Sequence, residues 1–248
     1  MLNADTVHVW YVFSDLVDDP RVLERYAAIM SDDERTRRDR FVRAADRHQF
    51  LVTRGMLRTL LARYLETEPT ELFFAIDRYG RPSLSRPGSR IEFNVSHTRG
   101  LVACAFAQVP EIGIDVEDIE RRPVSPDLAR RFFSAAEATA LEAVPAPDRL
   151  SRFFDYWTLK EAYLKARGTG LTLPLDSFTM QIESGKPAQI QFTAADDDDP
   201  ASWQIVQFDP SRRHRLAVAV RRRGADLAVD FREFVPSMTQ HDRRSSTS

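Results

Sequence analysis

The stretch W-T-L-K-E-A-Y-L-K-A-R-G-T-G-L, residues 157–171, belongs to a long helix expected from Leu150 to Arg167 and stopped at Gly168, a usual left-handed cap. Lys160 and Lys165 flank Glu161 within it, and they are two of three lysines in a chain that otherwise writes positive charge as arginine. A compact ammonium, where a guanidinium fork is the habit elsewhere, points to a site that needs a point charge. Glu161 and Lys165 stand one turn apart, whereas Lys160 lies about 100° away from Glu161 around the axis. Trp157, Tyr163 and Leu164 are expected to pack this helix on its lobe. Taken alone, Glu161 and Lys165 also fit an ordinary helix ion pair of about 0.3–0.5 kcal/mol.

Outward from this helix, the same pattern occurs once more. Phe50, Leu51, Met56, Leu57, Leu60 and Leu61 recur at helical spacing between His48 and Tyr64, with Arg54 and Arg58 one turn apart. A charged, helical stretch is expected over 31–43, and Ser134 with Glu137 has capping-box spacing at the head of a helix over 134–143. Strands are expected at 7–13, 71–77, 91–95, 101–107, 113–117, 177–182, 190–193, 203–208 and 215–220, with a turn at Tyr79-Gly80-Arg81-Pro82 and a hairpin turn over 96–100. Each half thus reads as one long helix with antiparallel strands, an α+β arrangement of two lobes, 1–111 and 112–235. A polar tail, 236–248, is expected to be disordered.

Composition narrows the class. The chain has 248 residues, 43% hydrophobic and 29% charged, and a formal net charge of −2. That is ordinary for a globular enzyme and gives no general affinity for nucleic acid. The single cysteine, Cys104, sits in an apolar run and is expected in the core. No basic leader and no run of roughly 20 apolar residues is present, so a cytoplasmic protein without membrane contact is expected. His8, His48, His214 and His241 have no ligand-like spacing, which argues against zinc.

Asp115 and Glu117 alternate on a strand, so both carboxylates share one face while Ile114 and Val116 take the other. Two hard oxygen donors suit Mg2+, although a lone D-x-E is more often a solvated strand face. N-V-S-H at 94–97, G-I-D-V-E at 113–117, and W-T-L-K-E-A-Y-L-K with its downstream G-x-G-L together resemble the motif set of the 4'-phosphopantetheinyl transferases, nearest the single-chain Sfp type. The resemblance spans roughly residues 30–175 in order and spacing. It implies two similar lobes, pseudo-twofold related, with the site between them, and a monomer. It also implies transfer of the phosphopantetheine arm of coenzyme A to a serine of an apo acyl or peptidyl carrier protein, releasing 3',5'-ADP.

Carried onto this chain, the resemblance makes Asp115, Glu117 and Glu161 the Mg2+ ligands, Lys165 the charge on the pyrophosphate, and Glu161, directly or through water, the base. Ser96 and His97 become contacts of the coenzyme's 3'-phosphate. Arg81 stands where the family often has Lys, and Arg54 is a further phosphate contact by analogy. The surface for the carrier is expected near 121–150, with Phe132 and Phe133 either part of it or core. Two other readings stay open at this point. A metal-dependent nuclease also gathers carboxylates and a lysine, but its usual core sets Glu and Lys two apart on a strand, not one helical turn apart. A non-catalytic coenzyme- or carrier-binding module would keep the fold without turnover.

Overall fold

The computed structural model describes residues 2–77, 80–86, 88–120, 126–168, 172–183, 185–192 and 198–236. Tyr79 of the expected turn, the T-G-L of the G-x-G-L motif and the tail after Pro236 lie outside them. In chain order the elements are β1 (Thr6–Val12), α1 (Pro20–Ala28), α2 (Asp32–Asp39), α3 (Ala44–Leu65), β2 (Phe74–Ile76), β3 (Pro82–Leu84), β4 (Glu92–Thr98), β5 (Leu101–Ala107), β6 (Ile112–Asp118), α4 (Pro126–Phe132), α5 (Ala135–Ala143), α6 (Arg149–Arg167), β7 (Phe178–Gln181), β8 (Gln189–Phe192), β9 (Trp203–Ser211), β10 (His214–Arg221) and β11 (Ala228–Glu233).

Two sheets lie back to back. The first has the order β11-β1-β5-β4 and the second β6-β10-β9. Strand alternation sorts their side chains: Val102, Cys104 and Phe106 of β5 pack with α3 residues such as Val52, Met56 and Leu60. Leu101, Ala103 and Ala105 meet Ile114, Val116, Leu216 and Val218 of the second sheet in a shared core. Ala217 and Ala219 then carry the outer face of that sheet under Ala162 and Tyr163 of α6. The layers are therefore helix, sheet, sheet, helix, which bears out the α+β expectation. Cys104 is fully buried, and burial pushes its thiol up to about 12, so it behaves as a core residue. Phe133 stacks near Phe153, and Phe132 meets Trp157 edge-on, so both aromatics support the second lobe's core.

Several details differ from the sequence reading. β4 extends to Thr98, so Ser96 and His97 are strand residues, and the reversal falls on Arg99 and Gly100. Gly100 has φ +78°, and a Cβ there would fall 2.9 Å from Asp15 Oδ2. The helix α1 was not anticipated, although Asp19 accepts from the Arg21 N–H as its cap and Pro20 opens it. Nor was β11, which pairs in parallel with β1, from Thr6 opposite Ala228 to Tyr11 opposite Glu233. The last of the described strands thus returns to the sheet of β1, β5 and β4. Among the described residues no helix is long and apolar enough to cross a membrane.

Each long helix is keyed to its lobe by a buried ion pair. In the first lobe the capping-box glutamate of α2, Glu34, accepts from Arg58 Nε at 2.7 Å, and Arg58 also donates to the carbonyls of Pro69 and Leu72. In the second lobe the capping-box glutamate of α5, Glu137, lies 2.8 Å from Lys160 Nζ, which donates to the carbonyls of Leu175 and Phe178.

Candidate active site

Gly113 sets the distance between α6 and the second sheet. A Cβ at that position would stand 2.1 Å from the Ala162 carbonyl and 2.4 Å from the Ala166 N–H, so only a residue without a side chain lets the helix backbone lie this close. The next residue on the same face is Asp115, 5% exposed, and one turn of α6 brings Glu161 and Lys165 to it. Lys165 Nζ lies 2.6 Å from Asp115 Oδ1. Glu161 is held above the usual carboxylate range, first by burial, then by the charge of Asp115, with Lys165 opposing. Glu117 follows at the next position on that face and is half-buried.

The seam between the two sheets is made by side chains. Asn94, Ser96 and Thr98 of β4 accept from the backbone N–H groups of Ile114, Val116 and Asp118 on β6, at 3.0, 3.3 and 3.1 Å. Alternate residues of one edge strand thereby satisfy the edge donors of the other, which would otherwise be buried without partners. At the far end Asp118 takes Arg99 at 2.9 Å and Arg213 at 2.8 and 2.7 Å; these contacts outweigh its burial and hold its carboxyl below the usual range.

A cleft of about 290 Å³ opens beside this seam, lined by Asp77, Gly80, Arg81, Pro82, Asn94 and Val95 on the first lobe and by Glu161, Leu164, Lys165 and Gly168 on the second. A further hollow of about 250 Å³ shares Asp77, Arg81 and Pro82 and reaches Glu92, Phe93 and Pro110. Arg81 stands where the two meet. Its guanidinium donates to the carbonyls of Lys165 at 2.8 Å and Ile112 at 3.2 Å, tying the β2–β3 hairpin to the second lobe. Burial lowers its pKa, with Glu92 and Asp77 opposing.

Of the residues read from the sequence, Glu161, Lys165 and Arg81 line one cleft, and Asp115 is joined to it through Lys165; Glu117 is not among the lining residues. Ser96 is in the seam and bonded to Asp115 and Lys165. His97 is exposed, on the β4 face that also carries Val95. Arg54 is 7% exposed and lies 3.6 Å from Glu34 over the rings of Phe50 and Phe74, and it does not line the cleft. Lys160 is fully buried away from Glu161, in its pair with Glu137. Sequence reasoning passed over Gly113 and Asn94. A glycine inside a strand pattern is a signal of close backbone approach and would have found the first.

The donors fit a hard divalent cation. Asp115 Oδ2 is buried with no hydrogen-bond partner, an orphan that a cation would satisfy. The neighbouring acidic group is the Glu161 carboxylate, beside the Ser96 hydroxyl and the Lys165 ammonium. Among the described residues no group of three or more His, Cys, Asp or Glu is gathered closely enough to hold a metal ion by itself, so a cation here would take part of its coordination from water or ligand phosphates.

Comparison with known proteins bears on the same regions. Residues 111–220 match the family model described as the 4'-phosphopantetheinyl transferase superfamily, and residues 19–109 match the one described as 4'-phosphopantetheinyl transferase, N-terminal. The chain is 34% identical over 221 residues to 4'-phosphopantetheinyl transferase HetI of Nostoc sp., covering 88% of this chain and 89% of that one. It is 30% identical over 197 residues to 4'-phosphopantetheinyl transferase Sfp of Bacillus subtilis, covering 79% and 85%.

Proposed function

The chain belongs to the 4'-phosphopantetheinyl transferase superfamily, as a transferase of the Sfp type, and from that premise we propose that it moves the phosphopantetheine arm of coenzyme A onto a serine of an apo acyl or peptidyl carrier protein in an Mg2+-dependent reaction that releases 3',5'-ADP. The observation that carries this reading is the buried, unpartnered Asp115 Oδ2 close to Glu161 and Lys165, which line the cleft. Asp115, Glu117 and Glu161 would hold the Mg2+. Bound there, Mg2+ supplies charge neutralisation to a pyrophosphate.

The chain's own residues account for the rest. Lys165 rests on Asp115 and lines the cleft, so its ammonium can turn to a phosphoryl oxygen as a point charge. Arg81, at the junction of the two hollows, has donors beyond those given to the carbonyls of Lys165 and Ile112 and can meet the nucleotide end of the coenzyme. His97 lies one same-face position past Val95, which lines the cleft, and would meet the 3'-phosphate there. Glu161 takes the proton of the carrier serine as its oxygen bonds to phosphorus and the bond to the departing 3',5'-ADP breaks. A carboxylate has two oxygens, so holding a cation leaves one for this proton. Both walls of the cleft come from one chain, which supports a monomer.

The test is the intact mass of a purified apo carrier protein incubated with this chain and coenzyme A, with Mg2+ and with a chelator. The expected result is a gain of one phosphopantetheine arm with Mg2+ and none in chelator. No gain on several carrier classes, from protein that binds coenzyme A, would favour the binding-module reading.

A further inference from the structure

Ser96 has spent its whole hydrogen-bonding capacity inside the protein. A serine hydroxyl offers one donor and two acceptor lone pairs. Ser96 Oγ donates to Asp115 Oδ1 at 3.0 Å and accepts from Val116 N at 3.3 Å and from Lys165 Nζ at 3.0 Å. With Lys165 Nζ itself 2.6 Å from the same Oδ1, the three groups close a triangle that joins both lobes. The residue is 7% exposed. Its ladder neighbours Asn94 and Thr98 serve the Ile114 and Asp118 N–H groups, so Ser96 is the rung that also reaches the carboxylate.

This occupancy divides the two oxygens of Asp115. Oδ1 is engaged by a hydroxyl and an ammonium, and Oδ2 is buried without a partner. A carboxylate held by one oxygen keeps its plane fixed and offers the other oxygen at no further ordering penalty. When Lys165 turns to a phosphate, the Ser96 hydroxyl still holds Oδ1. We propose that Ser96 is a positioning residue, which fixes Asp115 so that Oδ2 is presented to the metal ion, and that it is not a contact of the coenzyme's phosphate. The inference rests on the metal-dependent reading above.

Mn2+ serves as a probe whose free-ion signal is read by electron paramagnetic resonance. It is titrated into wild type and Ser96→Ala, each saturated with coenzyme A and without carrier protein, so no transfer takes place. Removing a group that orients a metal ligand typically weakens binding 10–100-fold, and the Mn2+ dissociation constant of Ser96→Ala is expected to rise about tenfold. Coenzyme A affinity in chelator is expected to stay at the wild-type value. If Ser96→Ala folds poorly, Ser96→Cys, whose thiol is a weak donor and acceptor, carries the same expectation. An Mn2+ affinity equal to wild type would overturn the inference and leave the metal reading standing. A loss of coenzyme A affinity in chelator with unchanged Mn2+ binding would return Ser96 to the phosphate. A wild-type protein that takes up no Mn2+ with coenzyme A would overturn the metal reading and this inference with it.

Discussion

The two long helices are mounted by the same device and used differently. In the first lobe Ser31 and Glu34 form a capping box, and Glu34 holds Arg58 of α3, which in turn binds two loop carbonyls. In the second lobe Ser134 and Glu137 form the box, and Glu137 holds Lys160 of α6, which again binds two loop carbonyls. The residue after the buried cation is Thr59 in α3 and Glu161 in α6. Under α3 the sheet presents Val102, Cys104 and Phe106, whereas under α6 it presents Gly113 and Asp115. The scaffold is repeated and the chemistry is not. A buried ion pair can hold a helix in either lobe, but a reactive centre needs a sheet face that admits the helix backbone closely and then offers carboxylates.

The largest expected stability effects test the shared device. Glu34→Ala and Glu137→Ala each strand a buried cation, and each should lower the unfolding free energy by about 3–5 kcal/mol, read from urea denaturation. A loss confined to one lobe would break the parallel. Next come the two close approaches. Gly113→Ala drives a Cβ into the α6 backbone, and Gly55→Ala drives one to 2.1 Å from the Tyr26 ring. Each is expected to destabilise by roughly 1–3 kcal/mol, the usual range for overpacking, but only Gly113→Ala should also depress transfer measured on the folded fraction.

The smallest effect lies in the first lobe, far from the cleft. His8 bonds Tyr64 Oη at 2.8 Å, and its pKa is lowered from the ordinary 6.5 by burial and by Arg232, with Asp230 opposing. The folded state therefore binds this proton less readily than the unfolded chain. Its stabilising contribution is present above the ordinary value and is lost as pH falls through the lower folded value. Urea midpoints on either side of 6.5 should fall on acidification in wild type and less so in His8→Gln. Catalytic transfer by the folded protein should not follow this titration.

What could be read from the sequence was what lies close along the chain. Alternation put Asp115 and Glu117 on one face, and helical spacing put Glu161 beside Lys165, since both relations depend on local periodicity. The capping box at Ser134 was legible for the same reason. Two misses also had local signals: Asp19 before Pro20 marks the start of α1, and Val229 with Phe231 alternates as a strand. The parallel pairing of β11 with β1 had none, because its partners are 222 residues apart at Thr6 and Ala228. The bonds of Ser96 to Asp115 and Lys165 cross the lobe seam, and no spacing rule relates β4 to α6. Helical spacing already set Lys160 about 100° around the axis from Glu161, and the fold turns it into the core and Lys165 into the cleft.

The most direct measurement compares one carboxylate from each lobe, Asp115→Asn and Glu34→Gln, by the rate of phosphopantetheine transfer to a carrier followed by intact mass, at a temperature where both variants are folded by circular dichroism. Asp115→Asn is expected to lose transfer by a factor on the order of 10² or more, the scale for removing a charge-stabilising group from a catalytic centre, while its melting temperature changes little. Glu34→Gln is expected to melt earlier and to turn over at the wild-type rate. Transfer by Asp115→Asn at the wild-type rate would contradict the account.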